Sequence, residues 1–210
     1  MEVEVLQITP QSEMLIESAA RTCYQSQDKM KEDSRSEFIM RLIKAGHLSV
    51  LEHAYATFRL RRISRALTHQ LVRHRLCSYS QQSQRYVSEE AFEYVIPPRI
   101  KECKKARELY IGCMEKLQAT YKELRDMDIP REDARYVLAN SCNTEIVFTC
   151  NFRELRHIMK LRGKINAQWE IRELFIAILK LIKRAAPACF FDMNVNEDKR
   201  VIEFANDKEN

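Results

Sequence analysis

Between Ala54 and Ile63 the chain alternates. Ala54, Ala56, Phe58 and Leu60 fall on one face, and Tyr55, Thr57, Arg59 and Arg61 on the other. A period of two predicts a half-buried strand. Shorter apolar runs predict further strands over residues 3–8, 92–96 and 145–150, the third of these four ended by Pro97-Pro98.

Elsewhere the period is helical. Residues 12–23 form one amphipathic stretch. A second follows Ser34 or Ser36 as cap, with Phe38, Ile39, Leu42 and Ile43 as its stripe and Gly46 at its end. Ser64 is placed to cap a helix running through Ala66, Leu67, Gln70, Leu71 and His74. A long helix is predicted over residues 100–124, and a shorter one from Pro130, a first-turn proline, to Ala139. Residues 152–161 read as helix ending near Gly163. Asn166 is placed to cap a last helix over residues 167–186, stopped by Pro187. His69 is expected on a helix surface and Trp169 in the core. Residues 25–33 read as a polar loop, and the segment from Asn194 as a charged tail. The element order predicts one mixed α/β domain of the α+β kind over residues 1–210, a small sheet flanked by helices.

Composition narrows the function. Seven cysteines, with no CxxC pair, argue against a disulfide framework and a zinc site. No metal site is expected. Three glycines are too few for a GxGxxG or P-loop. Glu2 and Glu4 stand where a leader peptide needs bases, and no apolar run reaches the length of a membrane span. A cytoplasmic protein without membrane contact is expected.

The charges are unevenly placed. Between Glu52 and Glu89 there is no acid and no lysine, yet there are seven arginines: Arg59, Arg61, Arg62, Arg65, Arg73, Arg75 and Arg85. Guanidinium forks match phosphate oxygens and stack on aromatic rings. Ser78, Ser80, Gln81, Gln82 and Ser83 add neutral donors and acceptors. The window therefore fits a nucleotide pocket. It also fits a basic surface paired with acids elsewhere, or a nucleic-acid contact; the net charge of only +5 and the confined basic stretch weigh against the last.

Arg73-His74-Arg75, seven residues and then Ser83 resembles the RHR-x7-S signature of flavin-dependent thymidylate synthases. The run RHRLCSYSQQSQRY extends the match. His47-Leu48-Ser49 through Glu52-His53, the segment starting Pro130-Arg131-Glu132, NFRELRHIMKLR from Asn151, and Ala167-Gln168-Trp169-Glu170 resemble further family blocks in the expected order. The resemblance spans residues 20–190. It implies conversion of dUMP to dTMP, with 5,10-methylenetetrahydrofolate as carbon donor and FAD, reduced by NADPH, as hydride source. It also implies a homotetramer with active sites shared between subunits.

Residue roles follow from the same resemblance. His47, Ser49, Arg73, His74, Arg75, Gln81, Asn151, Phe152, Arg153 and His157 align with flavin contacts. Gln70, Leu71, Val72, Arg73, Gln81, Gln82, Ser83, Gln84, Arg85, Arg135 and Arg162 align with dUMP contacts. Arg162 matches the arginine that stabilises negative charge on the uracil ring, and is the expected catalytic residue. Position 81 is often glutamate in the family; glutamine keeps the acceptor and loses the charge. Ser83 is expected to position the nucleotide rather than attack it, since the sequence shows no activating base. Cys77 is expected to pack, and no enzyme nucleophile is required.

Overall fold

The computed structural model describes residues 1–31 and 34–205, so residues 32–33 of the predicted loop and the last five of the charged tail lie outside it. The chain divides into two compact units, each discontinuous in sequence. The first comprises residues 1–2, 60–71 and 80–146. The second comprises 3–59, 72–79 and 147–210.

Strands β1 (Glu2–Ile8), β2 (Tyr55–Ser64), β3 (Cys77–Gln81) and β4 (Asn143–Asn151) form a sheet in the order β1-β2-β4-β3. Each strand passes from one unit into the other, with cuts after Glu2, Arg59, Tyr79 and Ile146. The predicted alternation of β2 holds from Tyr55 to Arg61, then slips by one where Arg62 takes φ 53. The slip brings Ile63 and Ser64 inward together. β3 was not predicted. It reads as a polar run because its inward positions are Cys77, Tyr79 and Gln81 rather than aliphatic residues.

In the first unit, Ser64 caps α3 (Arg65–Leu71): its Oγ accepts from Leu67 N at 3.0 Å. The helix was expected to reach His74 but stops at Leu71. A turn follows, in which the His74 carbonyl accepts from Cys77 N. The strand predicted over 92–96 is reduced to one antiparallel bridge, Tyr94 to Cys142, since Pro97 and Pro98 have no N–H to extend it. The predicted long helix is broken at Cys103, which is extended, into α4 (Pro98–Glu102) and α5 (Lys104–Asp126); nothing in the local sequence accounts for the break. The helix expected from Pro130 to Ala139 is one turn, α6 (Arg131–Ala134), followed by 3-10 geometry to Val137. Phe92, Met114 and Cys142, with Tyr94 and Tyr110 against them, form a core cluster of this unit.

The second unit holds α1 (Ser12–Thr22), α2 (Arg35–Lys44), α7 (Phe152–Arg162) and α8 (Trp169–Ala185). Gly46 ends α2 as expected, at φ 79, with His47 N reaching back to the Leu42 carbonyl at 2.9 Å. Phe58 and Phe148 stack at 5.3 Å in its core, and Phe152 meets Phe190 edge-on at the same distance. The cap of α8 is Gln168 rather than Asn166: its side-chain oxygen accepts from Glu170 N and Ile171 N. Trp169 is half-exposed at the start of α8, because the stripe that faces the core begins at Glu170 and Ile171. His69, in the first unit, is exposed as expected. The segment from Asn194, expected as a tail, folds as an antiparallel hairpin of β5 (Met193–Asn196) and β6 (Val201–Phe204). Its apolar positions Val201, Ile202 and Phe204 are buried. Among the described residues no helix is long and apolar enough to cross a membrane.

Gly163 links that hairpin to α7. Its carbonyl accepts from Ile202 N at 2.9 Å, and an added Cβ would lie 2.7 Å from both Ile202 Cβ and the Met159 carbonyl oxygen. Gly163→Ala is therefore expected to destabilise the protein by about 1–3 kcal/mol through overpacking, a fall in Tm of roughly 2–4 °C per kcal/mol. Thermal denaturation followed by circular dichroism measures it; an unchanged Tm contradicts the close packing.

Candidate flavin and nucleotide site

The aligned residues are divided between the units, and neither set is confined to one of them. Gln70, Leu71, Gln81, Gln82, Ser83, Gln84, Arg85 and Arg135 belong to the first. His47, Ser49, Val72, the Arg73-His74-Arg75 turn, Asn151, Phe152, Arg153, His157 and Arg162 belong to the second.

In the second unit the β4–α7 junction builds the site. Asn151 ends the strand and caps the helix, its Oδ1 accepting from Glu154 N at 2.8 Å. Phe152 turns wholly into the core and its N–H is bonded to the Ala54 carbonyl, so it packs rather than facing a ligand. Arg153 and His157 lie one turn apart on the exposed side of α7, and Arg153 is paired with Glu52 at 2.6 Å. Glu52, Asn151, Arg153 and His157 line a cavity of about 710 Å³, with Leu76 from beyond the RHR turn. His47 and Ser49 are exposed, and Ser49 opens a 3-10 turn that ends at His53.

His74 is the buried member of the turn, while Val72, Arg73 and Arg75 are exposed. Among the described residues neither Arg73 nor Arg75 has an ion-pair partner, which leaves both forks available to an anion. Arg162 Nε donates to His74 Nε2 at 3.1 Å. Burial first, then the Arg162 guanidinium and the neighbouring His157, push the imidazole down to about 4. Glu154, 3.8 Å from Nδ1, does not offset this, and burial raises its own carboxyl above the ordinary range. The imidazole is thus neutral near pH 7, with its proton on Nδ1 and its lone pair on Nε2.

Cys77 is half-buried, as a packing role requires. The Cys150 thiol hydrogen-bonds to it, lowering the Cys77 thiol and driving Cys150 well above its ordinary value. Tyr79 Oη donates to the His74 carbonyl at 2.9 Å and so braces the turn.

In the first unit Ser83 Oγ accepts from Arg85 N at 3.2 Å, within a turn that also bonds the Ser83 carbonyl to Tyr86 N and Val87 N. Among the described residues no base is bonded to Ser83 Oγ, consistent with a positioning role. Among the described residues the buried Gln84 amide nitrogen has no hydrogen-bond partner. Arg85 is paired with Glu132 at 3.0 Å, and Arg135 Nε donates to the Glu132 carbonyl at 3.1 Å. Gln82 reaches Glu89 at 3.4 Å, and Gln70 bonds back to its own helix at Ala66. Leu71 is fully buried, so its side chain serves the core.

Gln81 has a local reason to be glutamine. Thr68 is fully buried, and its hydroxyl proton is given to the Arg65 carbonyl at 3.0 Å. Its lone pairs need a donor, and Gln81 Nε2 supplies one at 3.0 Å, with Thr144 Oγ1 at 3.3 Å beside it. A carboxylate would set acceptor against acceptor at Thr68. The sequence alone showed a lost charge at this position; the partner is visible only in the fold.

The arginine window is partly neutralised in space. Arg61 faces Glu145 and Arg62 faces Glu2 in the first unit, and Arg59 faces Glu4 in the second, at 3.5, 3.3 and 3.4 Å. Burial lowers Arg65 most, and among its neighbours Glu89 opposes that shift while Arg135 adds to it. The basic-surface reading therefore holds for the strand arginines, whereas Arg73 and Arg75 have no such acid partner among the described residues.

Two measurements test these arrangements. As pH falls, the unfolded chain takes up the His74 proton near 6.5 and the folded one only near 4, so stability declines across that interval, by up to about 3 kcal/mol. The raised Glu154 acts with opposite sign but is common to wild type and His74→Gln. Melts at pH 7 and pH 4.5 are expected to fall further for wild type than for His74→Gln; equal declines contradict a buried neutral imidazole. Gln81→Glu is expected to cost about 1–3 kcal/mol, read by urea denaturation, and Thr68→Val to abolish most of that difference.

Residues 4–188 match the family model described as Thymidylate synthase complementing protein, Thy1. Flavin-dependent thymidylate synthase from Geobacter sulfurreducens is 43% identical over 200 residues, covering 91% of this chain and 86% of that protein. Its counterpart from Clostridium tetani is 39% identical over 214 residues, covering 90% and 85%. The crystal structure of Thymidylate Synthase X from Helicobacter pylori with FAD and dUMP superposes with a TM-score of 0.72 at 28% identity, covering 86% of this chain and 92% of that one. With a matching family model over most of its length and relatives at this identity, the chain belongs to the Thy1 family of flavin-dependent thymidylate synthases.

Proposed function

We propose that the protein converts dUMP to dTMP, with 5,10-methylenetetrahydrofolate as carbon donor, as a homotetramer whose subunits share active sites. In this reading the chain acts as one catalytic domain in the cytoplasm. The observation that carries the proposal is the second unit's turn: two exposed guanidiniums, Arg73 and Arg75, without ion-pair partners among the described residues, flank a buried neutral His74 bonded to Arg162.

These residues fit FAD. Free guanidinium forks suit a pyrophosphate, and the 710 Å³ cavity bearing Asn151, Arg153 and His157 offers polar groups to a large heteroaromatic ligand. Bound FAD, reduced by NADPH, supplies the hydride that completes the methyl group. The chain's own residues do the rest. Arg73 and Arg75 hold anionic oxygens. Ser83 and the unpartnered Gln84 amide orient the nucleotide, and Arg135 offers its remaining guanidinium donors to the phosphate. Arg162 keeps its Nε bonded to His74, so its two terminal nitrogens are free to face the uracil. A fixed cation there stabilises negative charge on the ring as its carbon is activated. Ser83 lacks a base, and no thiol is called on for attack.

Purified protein is expected to be yellow and to form dTMP from dUMP only with NADPH and methylenetetrahydrofolate present. Arg162→Lys is expected to lower kcat by about 10²–10³-fold while FAD is retained, and Cys77→Ser to keep kcat within about tenfold of wild type. A colourless protein that rejects added FAD refutes the reading. Binding to random oligonucleotides that weakens steeply with salt favours nucleic-acid contact instead.

A further inference from the structure

We propose that Glu154 is a positioning residue for this reaction: its buried carboxylate fixes the tautomer of His74, whose Nε2 in turn holds the Arg162 guanidinium. The proposal rests on the assignment of Arg162 to the nucleotide.

The argument begins with hydrogen-bond direction. A guanidinium has only donors, so the 3.1 Å bond from Arg162 Nε requires a lone pair on His74 Nε2. The imidazole proton is then on Nδ1. That edge faces Glu154 Oε1 at 3.8 Å, and both side chains are nearly closed to solvent, at 7% and 8% exposure. At 3.8 Å the contact is an electrostatic pull on the N–H rather than a direct hydrogen bond. With little water nearby to screen it, that pull selects between two otherwise similar tautomers. Among the described residues Glu154 has no other ion-pair partner.

Helix α7 supplies both ends of the relay. Glu154 sits in its first turn and Arg162 at its last residue. Side chains on a helix lean toward its N-terminus, so the long Arg162 side chain reaches back to the imidazole that Glu154 meets from the other side. If the proton moved to Nε2, two donors would face each other and Arg162 would lose its anchor. Glu154 borders the cavity beside Asn151 and His157, and in this scheme its effect on the reaction passes through His74.

The bland alternative is that Glu154 only complements the N-terminal charge of α7. Glu154→Leu and Glu154→Gln both remove that charge, but only glutamine leaves an oxygen to face Nδ1–H. The experiment measures kcat and KM for dUMP in wild type and both variants, Tm for all three, and the His74 ring 15N shifts in protein labelled at histidine, assigned by their absence in His74→Gln. The expected result is an Nε2-protonated His74 in Glu154→Leu, with kcat lowered about 10- to 100-fold, as removal of an orienting partner commonly does. Glu154→Gln is expected to restore the Nδ1 tautomer and most of that kcat, at the same Tm as Glu154→Leu. An unchanged tautomer in Glu154→Leu overturns the proposal, as does equal loss of kcat in the two variants. A wild type that makes no dTMP refutes the functional reading instead, and the nitrogen shifts still decide what Glu154 does to His74.

Discussion

The buried fork between Arg156 and Asp192 holds helix α7 in one orientation, and the candidate site depends on that helix. Arg156 gives two parallel bonds of 2.7 Å to the Asp192 carboxylate and a third of 2.6 Å to the Cys189 carbonyl. Against apolar residues of equal volume such a buried pair contributes little net stability, because desolvation offsets attraction. Its geometry, however, admits one arrangement of donors and acceptors. With Phe152 sunk into the core beside it and Asn151 capping the first turn, these contacts oppose both rotation and sliding of α7. Asn151, Arg153, His157 and Arg162 are all spaced from that fixed axis.

Around this helix the protein keeps a neutral imidazole among cations. His74 lies between Arg162 and His157 in influence, buried in a turn that carries two more arginines. Charging it would add repulsion and remove an acceptor at once. Neutrality is therefore part of how the turn concentrates positive charge for an anionic ligand without disordering itself. The braces are ordinary: Tyr79 on the His74 carbonyl and a helix that ends three residues early to make room for the reversal.

How much of this was legible in the sequence depended on the kind of signal. Helices with strong stripes and punctuation, such as α2 with Gly46 and α7 with Gly163, were read nearly to the residue. β3 was missed because its inward residues are a thiol, a phenol and an amide, which carry no aliphatic alternation. The hairpin at 193–204 was masked by the charged residues of its turn, Glu197 to Arg200, although Val201, Ile202 and Phe204 are buried. The RHR turn was found by pattern, but its division into exposed forks and a buried ring needs a tertiary partner 88 residues away in the chain. Glu154 carried no signal at all, since an acid in a helix's first turn is ordinary. The acid-free window was misleading in one respect: acids distant in sequence return to Arg59, Arg61 and Arg62 in space.

The hydroxyl of Thr68 has a consequence for sequence variation. Because its proton is committed to the Arg65 carbonyl, residue 81 is chosen by what lies behind it rather than by the ligand before it. Positions 68 and 81 should therefore vary as a pair. Where a relative carries glutamate at 81, its counterpart of Thr68 should be a group able to donate, or should have released the helix carbonyl that Thr68 holds here. A departure from the family's usual residue at the edge of the site is then a record of hydrogen bonding in the helix just before it, and carries no implication that the chemistry has changed.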